Sequence, residues 1–167
     1  MSDESSAAIK AVRTDWVGEH KHMYLSSGGT QGHIMDVTAV GGPALGTHCM
    51  IRFKGRKSGD TLITPLCYSL VNGEVTICAS KGGADHHPAW YLNLIADPRI
   101  DFQIATQAWR GTWREPEGAE RDHAWASMTG NFHFYSDYQA STSRILPLVM
   151  LQGVEPIPVF QLSDIGQ

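Results

Sequence analysis

The sequence predicts an α+β fold that is mainly β, and three observations carry that prediction. Residues 47–54 and 100–114 alternate apolar and polar side chains with the two-residue period of half-buried strands. Asn72-Gly73 lies between two further strand-like runs, and this dipeptide readily takes the positive φ angles of a two-residue hairpin turn. Helical spacing is confined to a stretch near the N-terminus and to shorter segments between and after the strands. At 167 residues, 42% hydrophobic and 18% charged, the chain has the size and composition of one globular domain. A net charge of −4 argues against general electrostatic binding to nucleic acid or membrane surfaces.

Residues 1–6 are polar and acidic and are expected to be disordered, leaving one domain over residues 7–167. Over residues 7–25, Ile9, Val12, Trp16 and Met23 recur at helical spacing, and Ser26-Ser27-Gly28-Gly29 ends the helix. Such a helix covers one side of a sheet or lies on a membrane surface, and on sequence both readings stand. Residues 34–40 are a strand candidate before the turn Gly41-Gly42-Pro43. In residues 47–54, Cys49, Ile51 and Phe53 are expected on a core face, with His48, Met50, Arg52 and Lys54 on a partly wet one. Residues 61–71 read as one strand whose Pro65 cannot donate to a ladder, so an edge, a bulge or a ligand belongs beside it. Asn72-Gly73 turns this strand into a return strand over residues 74–80. That pairing would bring the turn at 55–60 and the loop at 80–83 to the same end of the hairpin.

Further along, Pro88 fits a first helical position, residues 89–96 make a short helix, and Asp97-Pro98 stops it. Residues 100–105 and 108–114 are expected to form a hairpin. A helix is expected over 117–128 with Trp125 and Met128 inward, and a shorter helical segment over 135–144. The runs at 146–151 and 157–162 are broken by prolines and read as edge or terminal strands.

Positive charge is local in this acidic chain. Arg52, Lys54, Arg56 and Lys57 fall within six residues and Lys81 follows on the next loop, among glycines that let a backbone approach an anion closely. Neither loop matches the nucleotide-triphosphate or dinucleotide glycine patterns. Cys49, Cys67 and Cys78 are odd in number, lie in strand-like runs and lack C-x-x-C spacing, which reads as reduced core thiols of an intracellular protein. With no basic and apolar leader at the start, the expected address is the cytoplasm. Asp85, His86 and His87 read as helix capping rather than metal ligation, since no spacing motif supplies a third ligand. Tyr135 and Tyr138, three apart on a helical turn, share a face and are either core aromatics or a hydroxyl pair aimed at a substrate.

Taken in order, GRKSG (55–59), TPLCY (64–68), ASKGG (79–83), HPAWYLN (87–93), ADP (96–98) and YSDYQASTSRILPLVML (135–151) resemble the deazaflavin-dependent nitroreductase family of actinobacteria, the flavin/deazaflavin oxidoreductases that use coenzyme F420. The similarity runs from about Trp16 to Leu151. It implies a split β-barrel related to the FMN-binding proteins, and an F420H2-dependent reductase passing a hydride from the deazaflavin ring to a quinone, an activated alkene or a nitroaromatic.

The resemblance also implies a site. Lys54, Arg56, Lys57 and Ser58 would hold the anionic tail, and Leu62, Ile63, Thr64, Pro65, Leu66 and Cys67 would run along the ring. Cys78, Ala79, Ser80, Lys81, Gly82 and Gly83 would take the phosphate and ring edge, with Ala89, Trp90, Tyr91, Leu92 and Asn93 on the adjoining helix. Ser80, Tyr135 and Tyr138 would act at the reactive face. The implied partner is a small-molecule acceptor, with no metal and no nucleic acid; contact of the N-terminal helix with the inner face of the membrane is the alternative reading of its amphipathic pattern. A protein of the same fold that binds F420 or a flavin without turnover is the alternative. An FMN oxidase of the same barrel class is disfavoured, because the basic cluster exceeds what one phosphate requires.

Overall fold

The structure is a computed structural model that describes residues 16–165. The disordered terminus expected at 1–6 and the first part of the helix expected over 7–25 lie outside the described residues. Four helices are seen, α1 (residues 16–26), α2 (Ala89–Ala96), α3 (Gly118–Asn131) and α4 (Phe134–Ala140). They surround an antiparallel sheet of β1 (Ile34–Met35), β2 (Gly46–Lys54), β3 (Thr61–Cys67), β4 (Ser69–Val71), β5 (Glu74–Cys78), β6 (Ile100–Ile104), β7 (Gln107–Arg114) and β8 (Leu148–Ile157). The strand order is β1-β2-β6-β7-β8-β5-β4, with β3 paired to β2 alone. Because β3 comes back toward β5 without joining it, the sheet curls into a half-open barrel with a seam between the two strands.

Alternation along the strands decides what fills the barrel. Cys49, Ile51 and Phe53 of β2 meet Val75 and Ile77 of β5, Phe102 of β6, and Val149 and Leu151 of β8, and Trp90, Tyr91 and Leu94 of α2 close the end. Outside, α3 and α4 bury Ala124, Met128, Phe132 and Tyr135 against Val71, Cys78, Leu148 and Met150. On another outer face, Tyr24 and Leu25 of α1 pack with Met50, Ile63, Ala108 and Phe160. This last layer corrects the expectation of a partly wet face on β2 at His48 and Met50, while Arg52 is half-buried and Lys54 exposed as expected. His48 and Met50 are as buried as Cys49 and Ile51, because α1 lies over them.

Three strand boundaries differ from the sequence reading, each for a local reason. At 34–40 only two residues pair, since the Asp36 carboxylate accepts from the N–H and hydroxyl of Thr38 at 2.9 and 2.7 Å and bends the chain into a 3-10 turn. The strand expected over 61–71 is two strands, and the break is at Tyr68 rather than Pro65. There the chain crosses the seam, held by Tyr68 N–H to Thr47 O (3.1 Å) and Thr47 Oγ1 to Tyr68 O (2.7 Å). Pro65 sits opposite Met50 on a strand with one neighbour, the edge position its missing N–H calls for. Lastly, β8 is no edge strand. It runs unbroken from Leu148 to Ile157 between β7 and β5, with a register shift at Arg110/Gly111 that leaves Val154 outside the ladder and exposed. The run at 157–162 does not form a strand.

The remaining elements follow the pattern closely. Asn72 and Gly73 take φ of 50° and 82°, as a hairpin turn between β4 and β5 demands. Pro88 is the residue before the helix rather than its first, α3 runs three residues past its expected end, and α4 is shorter than expected.

Candidate functional site

The basic turn is a rigid piece of backbone. Gly55 N–H donates to Asp60 O (2.9 Å), Gly59 N–H to Gly55 O (2.8 Å), and Asp60 N–H to the Ser58 hydroxyl (3.1 Å). Lys54 Nζ donates across the hairpin to Thr61 Oγ1 at 2.7 Å. Asn93 of α2 is buried, and its Oδ1 accepts from both the N–H (3.0 Å) and the Nη1 (2.8 Å) of Arg56. Asn93 therefore ties the turn to α2. Between turn and helix lies an open cleft of about 400 Å³ lined by Lys54, Gly55, Arg56, Gly59, Ala96, Asp97 and Arg99. Arg99 was not legible as a site residue, because Asp97-Pro98 before it reads simply as a helix stop. Its guanidinium lies 2.6 Å from Asp97 and lowers that carboxyl to about 2.

After β5 the chain enters a loop of unusual handedness. Ser80 has φ −87° in the right-handed region, and Lys81, Gly82 and Gly83 follow at φ 46°, 63° and 84°. A right-handed residue followed by a left-handed one turns successive N–H groups to one side, the geometry of an anion-binding concavity. Gly83 and Ala84 donate back to Ser80 O and Lys81 O, whereas the N–H groups of Ser80, Lys81 and Gly82 have no protein acceptor among the described residues. Holding the non-glycine Lys81 at positive φ costs about 1–2 kcal/mol. Gly83 is required by contact as well as by φ, because a Cβ there would lie 2.7 Å from Tyr138 O and 2.9 Å from Tyr138 Cα. Ser141 completes the junction by donating to Gly83 O at 3.0 Å. Helix α4 is thereby fixed against the loop, with Tyr138 next to it.

The other expected ring contacts divide by side chain. Leu62, Thr64, Pro65 and Leu66 are half-buried along β3, which has a free edge at the seam. Ile63 is buried beneath α1, and its carbonyl accepts from Lys21 Nζ at 3.3 Å. Cys78, Ala79, Trp90 and Tyr91 are core side chains, so toward a ligand these positions offer backbone or support from below. Ala89 is exposed and Leu92 half-buried on α2, and Lys57 and Lys81 are exposed on their loops. Asp85 does not cap α2; its carboxylate accepts from Thr142 Oγ1 at 2.9 Å. The basic turn and the glycine loop are thus not brought to one end of a single hairpin, since β3 pairs with β2 and only β4 with β5. Each is instead fixed to a helix, the turn to α2 and the loop to α4.

Tyr135 is buried with its ring 6.1 Å from that of half-buried Tyr138. Cys67 packs against the cluster that holds Tyr135, and its Sγ lies 3.3 Å from His48 Nε2. Burial pushes the Cys67 thiol up to about 12 and the Tyr135 phenol well above its ordinary value, so both keep their protons at neutral pH. The three cysteines are free thiols, and among the described residues no group of three or more His, Cys, Asp or Glu side chains gathers as a metal site.

A half-open antiparallel barrel with a seam, flanked by a basic turn and a glycine loop, defines a split β-barrel protein. The chain belongs to the F420H(2)-dependent quinone reductase family, whose model matches residues 16–153. Membership makes it an F420H2-dependent oxidoreductase with coenzyme F420 as cofactor. An F420H(2)-dependent quinone reductase of Mycobacterium tuberculosis is 28% identical over 79% of this chain and 86% of its own length. A solved F420-H2 dependent reductase, FDR-A, is 34% identical with a TM-score of 0.58, over 63% of this chain and 93% of that one. Another solved chain, described as a domain-swapped dimer, is 33% identical with a TM-score of 0.61, over 84% of this chain and 99% of that one. No helix among the described residues is long and apolar enough to cross a membrane.

Proposed function

We propose that this chain reduces quinones, with enones and nitroaromatics as alternative acceptors of the same chemistry, and that its cofactor lies along the barrel seam. The observation that carries this reading is the loop at Ser80 to Gly83, whose outward N–H groups suit a phosphate and whose position against α4 sets Tyr138 beside it. In this reading Lys54, Arg56 and Lys57 attract the polyanionic tail, with Ser58 shaping their turn and Asn93 anchoring it to α2. Leu62, Thr64, Pro65 and Leu66 flank the ring at the edge of β3. When bound, the reduced deazaflavin supplies the hydride.

The protein contributes position and polarity. Ser80 orients the groups meeting at the loop. Tyr138 is the more open of the two phenols and binds the acceptor oxygen, and Tyr135, protonated at neutral pH, supports it from behind or donates a hydrogen bond. A cytoplasmic address belongs to the same reading. Membrane contact through α1 has less support, since the side bearing Tyr24 and Leu25 is packed on the barrel and the exposed part offers Val17 beside Gly18, Glu19 and His22.

Titration with oxidised F420 and with FMN at low and high salt tests the site. F420 is expected to bind selectively and to weaken as salt rises, because exposed charges more than about 10 Å apart are screened at 0.1 M. Preference for FMN would overturn the assignment. Tyr138→Phe and Tyr135→Phe are expected to lower quinone turnover by about ten- to a hundredfold while leaving F420 affinity nearly unchanged. F420 binding without turnover of any quinone, enone or nitroaromatic would identify a carrier instead.

A further inference from the structure

Arg144 lies on the connection between α4 and β8, outside every segment read as a cofactor contact, and its guanidinium is spent on the glycine loop. Nη1 donates to Ala79 O at 3.2 Å, Nη2 to Ser80 O at 2.7 Å and Nε to Ala84 O at 2.6 Å. Nη1 also lies 3.2 Å from His87 Nδ1, which must accept because a guanidinium has no lone pair to offer. His87 packs at a tilt against Tyr91, with ring centroids 4.8 Å apart, immediately ahead of α2. One side chain thus holds three carbonyls of the loop and the start of the next helix.

A trans peptide is planar, and its C=O and N–H point in opposite directions. With Ala79 O and Ser80 O drawn to the guanidinium, the N–H groups of Ser80 and Lys81 in the same two peptide units must face away from it. Those are two of the three N–H groups that lack a protein acceptor. The positive charge also sits behind the loop, adding to its attraction for an anion. We propose that Arg144 is a positioning residue which sets the direction of the loop's N–H groups and so determines affinity for the anionic part of the cofactor. This rests on the reading of the loop as the phosphate contact.

The test uses Arg144→Ala and Arg144→Lys in the full chain, with two readouts: F420 affinity, and the backbone amide resonances of Ser80 and Lys81 in the ligand-free protein. For Arg144→Ala the dissociation constant is expected to rise about ten- to a hundredfold, as for loss of charge-assisted hydrogen bonds. The turnover number at saturating F420 should change far less, and both amide resonances should shift. Free guanidinium at tens of millimolar should restore part of the affinity. A folded Arg144→Ala protein with affinity within about twofold of the parent, or with unmoved resonances, would overturn the proposal. If Arg144→Ala fails to fold, Arg144→Lys decides: its ammonium lacks the planar fork, so intermediate affinity supports the assignment and parental affinity sinks it. Should the parent protein itself bind no F420, the reading of the loop is lost, a result separate from normal parental binding with indifferent Arg144 variants.

Discussion

Gly83→Ala is expected to destabilise the protein by about 2–5 kcal/mol and to weaken F420 binding by more than tenfold. Two costs combine. At φ 84° an L-residue sits in the left-handed region, worth about 1–2 kcal/mol. The new Cβ would also lie 2.7 Å from Tyr138 O and 2.9 Å from Tyr138 Cα, atoms of helix backbone that cannot rotate aside as a flexible side chain would. Overpacking of this kind adds about 1–3 kcal/mol. Relief requires moving α4 away from the loop, which carries Tyr138 out of position and breaks the bond from Ser141 to Gly83 O. Gly73→Ala separates the two costs. Its φ is 82° but a Cβ there meets nothing within 4 Å, so it should lose the conformational share alone and bind F420 normally. Urea unfolding and F420 titration of both variants measure the difference. Equal losses would show that the collision with α4 has no weight.

Elements set by local chemistry were legible in the sequence. The Asn-Gly turn, the alternation of β2, the β6 and β7 hairpin and α2 depend on residues that are neighbours in the chain, and propensity and period report those directly. The error at residues 61–71 is of another kind. Apolar alternation continues through Tyr68, and nothing local says that β3 pairs with β2 while β4 pairs with β5. The central place of β8 was missed similarly, since proline content suggests an edge, yet Pro147 precedes the strand and Pro156 lies near its end, beyond the register shift. Pairing is a long-range outcome that strand residues do not announce.

The site divides along the same line. Charges and glycines at 54–59 and 80–83 stand out in the composition, and the structure forms a hydrogen-bonded turn and a left-handed loop there, the proposed seat of the anion. Residues that hold these loops do not stand out. Asn93 was read as a ligand contact and serves in the structure to fix Arg56, and Arg144 looked like one more residue of a helical segment although its guanidinium reaches Ala79, some 65 residues away. A polar side chain whose partners are distant carbonyls leaves no periodic trace.

Acidification from pH 7 to pH 4 is expected to remove about 3 kcal/mol of stability through His48, a large share of the 5–15 kcal/mol typical of a domain. His48 is 3% exposed on β2 beneath α1. Its Nδ1 donates to Gly46 O at 2.9 Å, leaving the lone pair of Nε2 toward Cys67 Sγ. Desolvation by burial chiefly, and then the nearby His20, lower it from 6.5 to about 4. Among the described residues the groups facing it are His20 and Tyr24 of α1, His33 ahead of β1, and Cys67 of β3, and none of these is a carboxylate that could welcome a proton. Above pH 6.5 both folded and unfolded chains hold the imidazole neutral, so stability is undiminished. As pH falls from 6.5 to about 4 the unfolded chain binds the proton first, and each unit costs about 1.4 kcal/mol. His20 shifts in the same direction, its Nε2 bound to Gly32 O at 2.7 Å and its Nδ1 buried without a hydrogen-bond partner among the described residues. Urea unfolding across this range should therefore show a steep acid loss in the parent and a flatter one in His48→Gln. Equal slopes would remove His48 as the cause. A flattened slope would place the weakest joint of the fold between α1 and β2, with Cys67 and Tyr135 lying next to it.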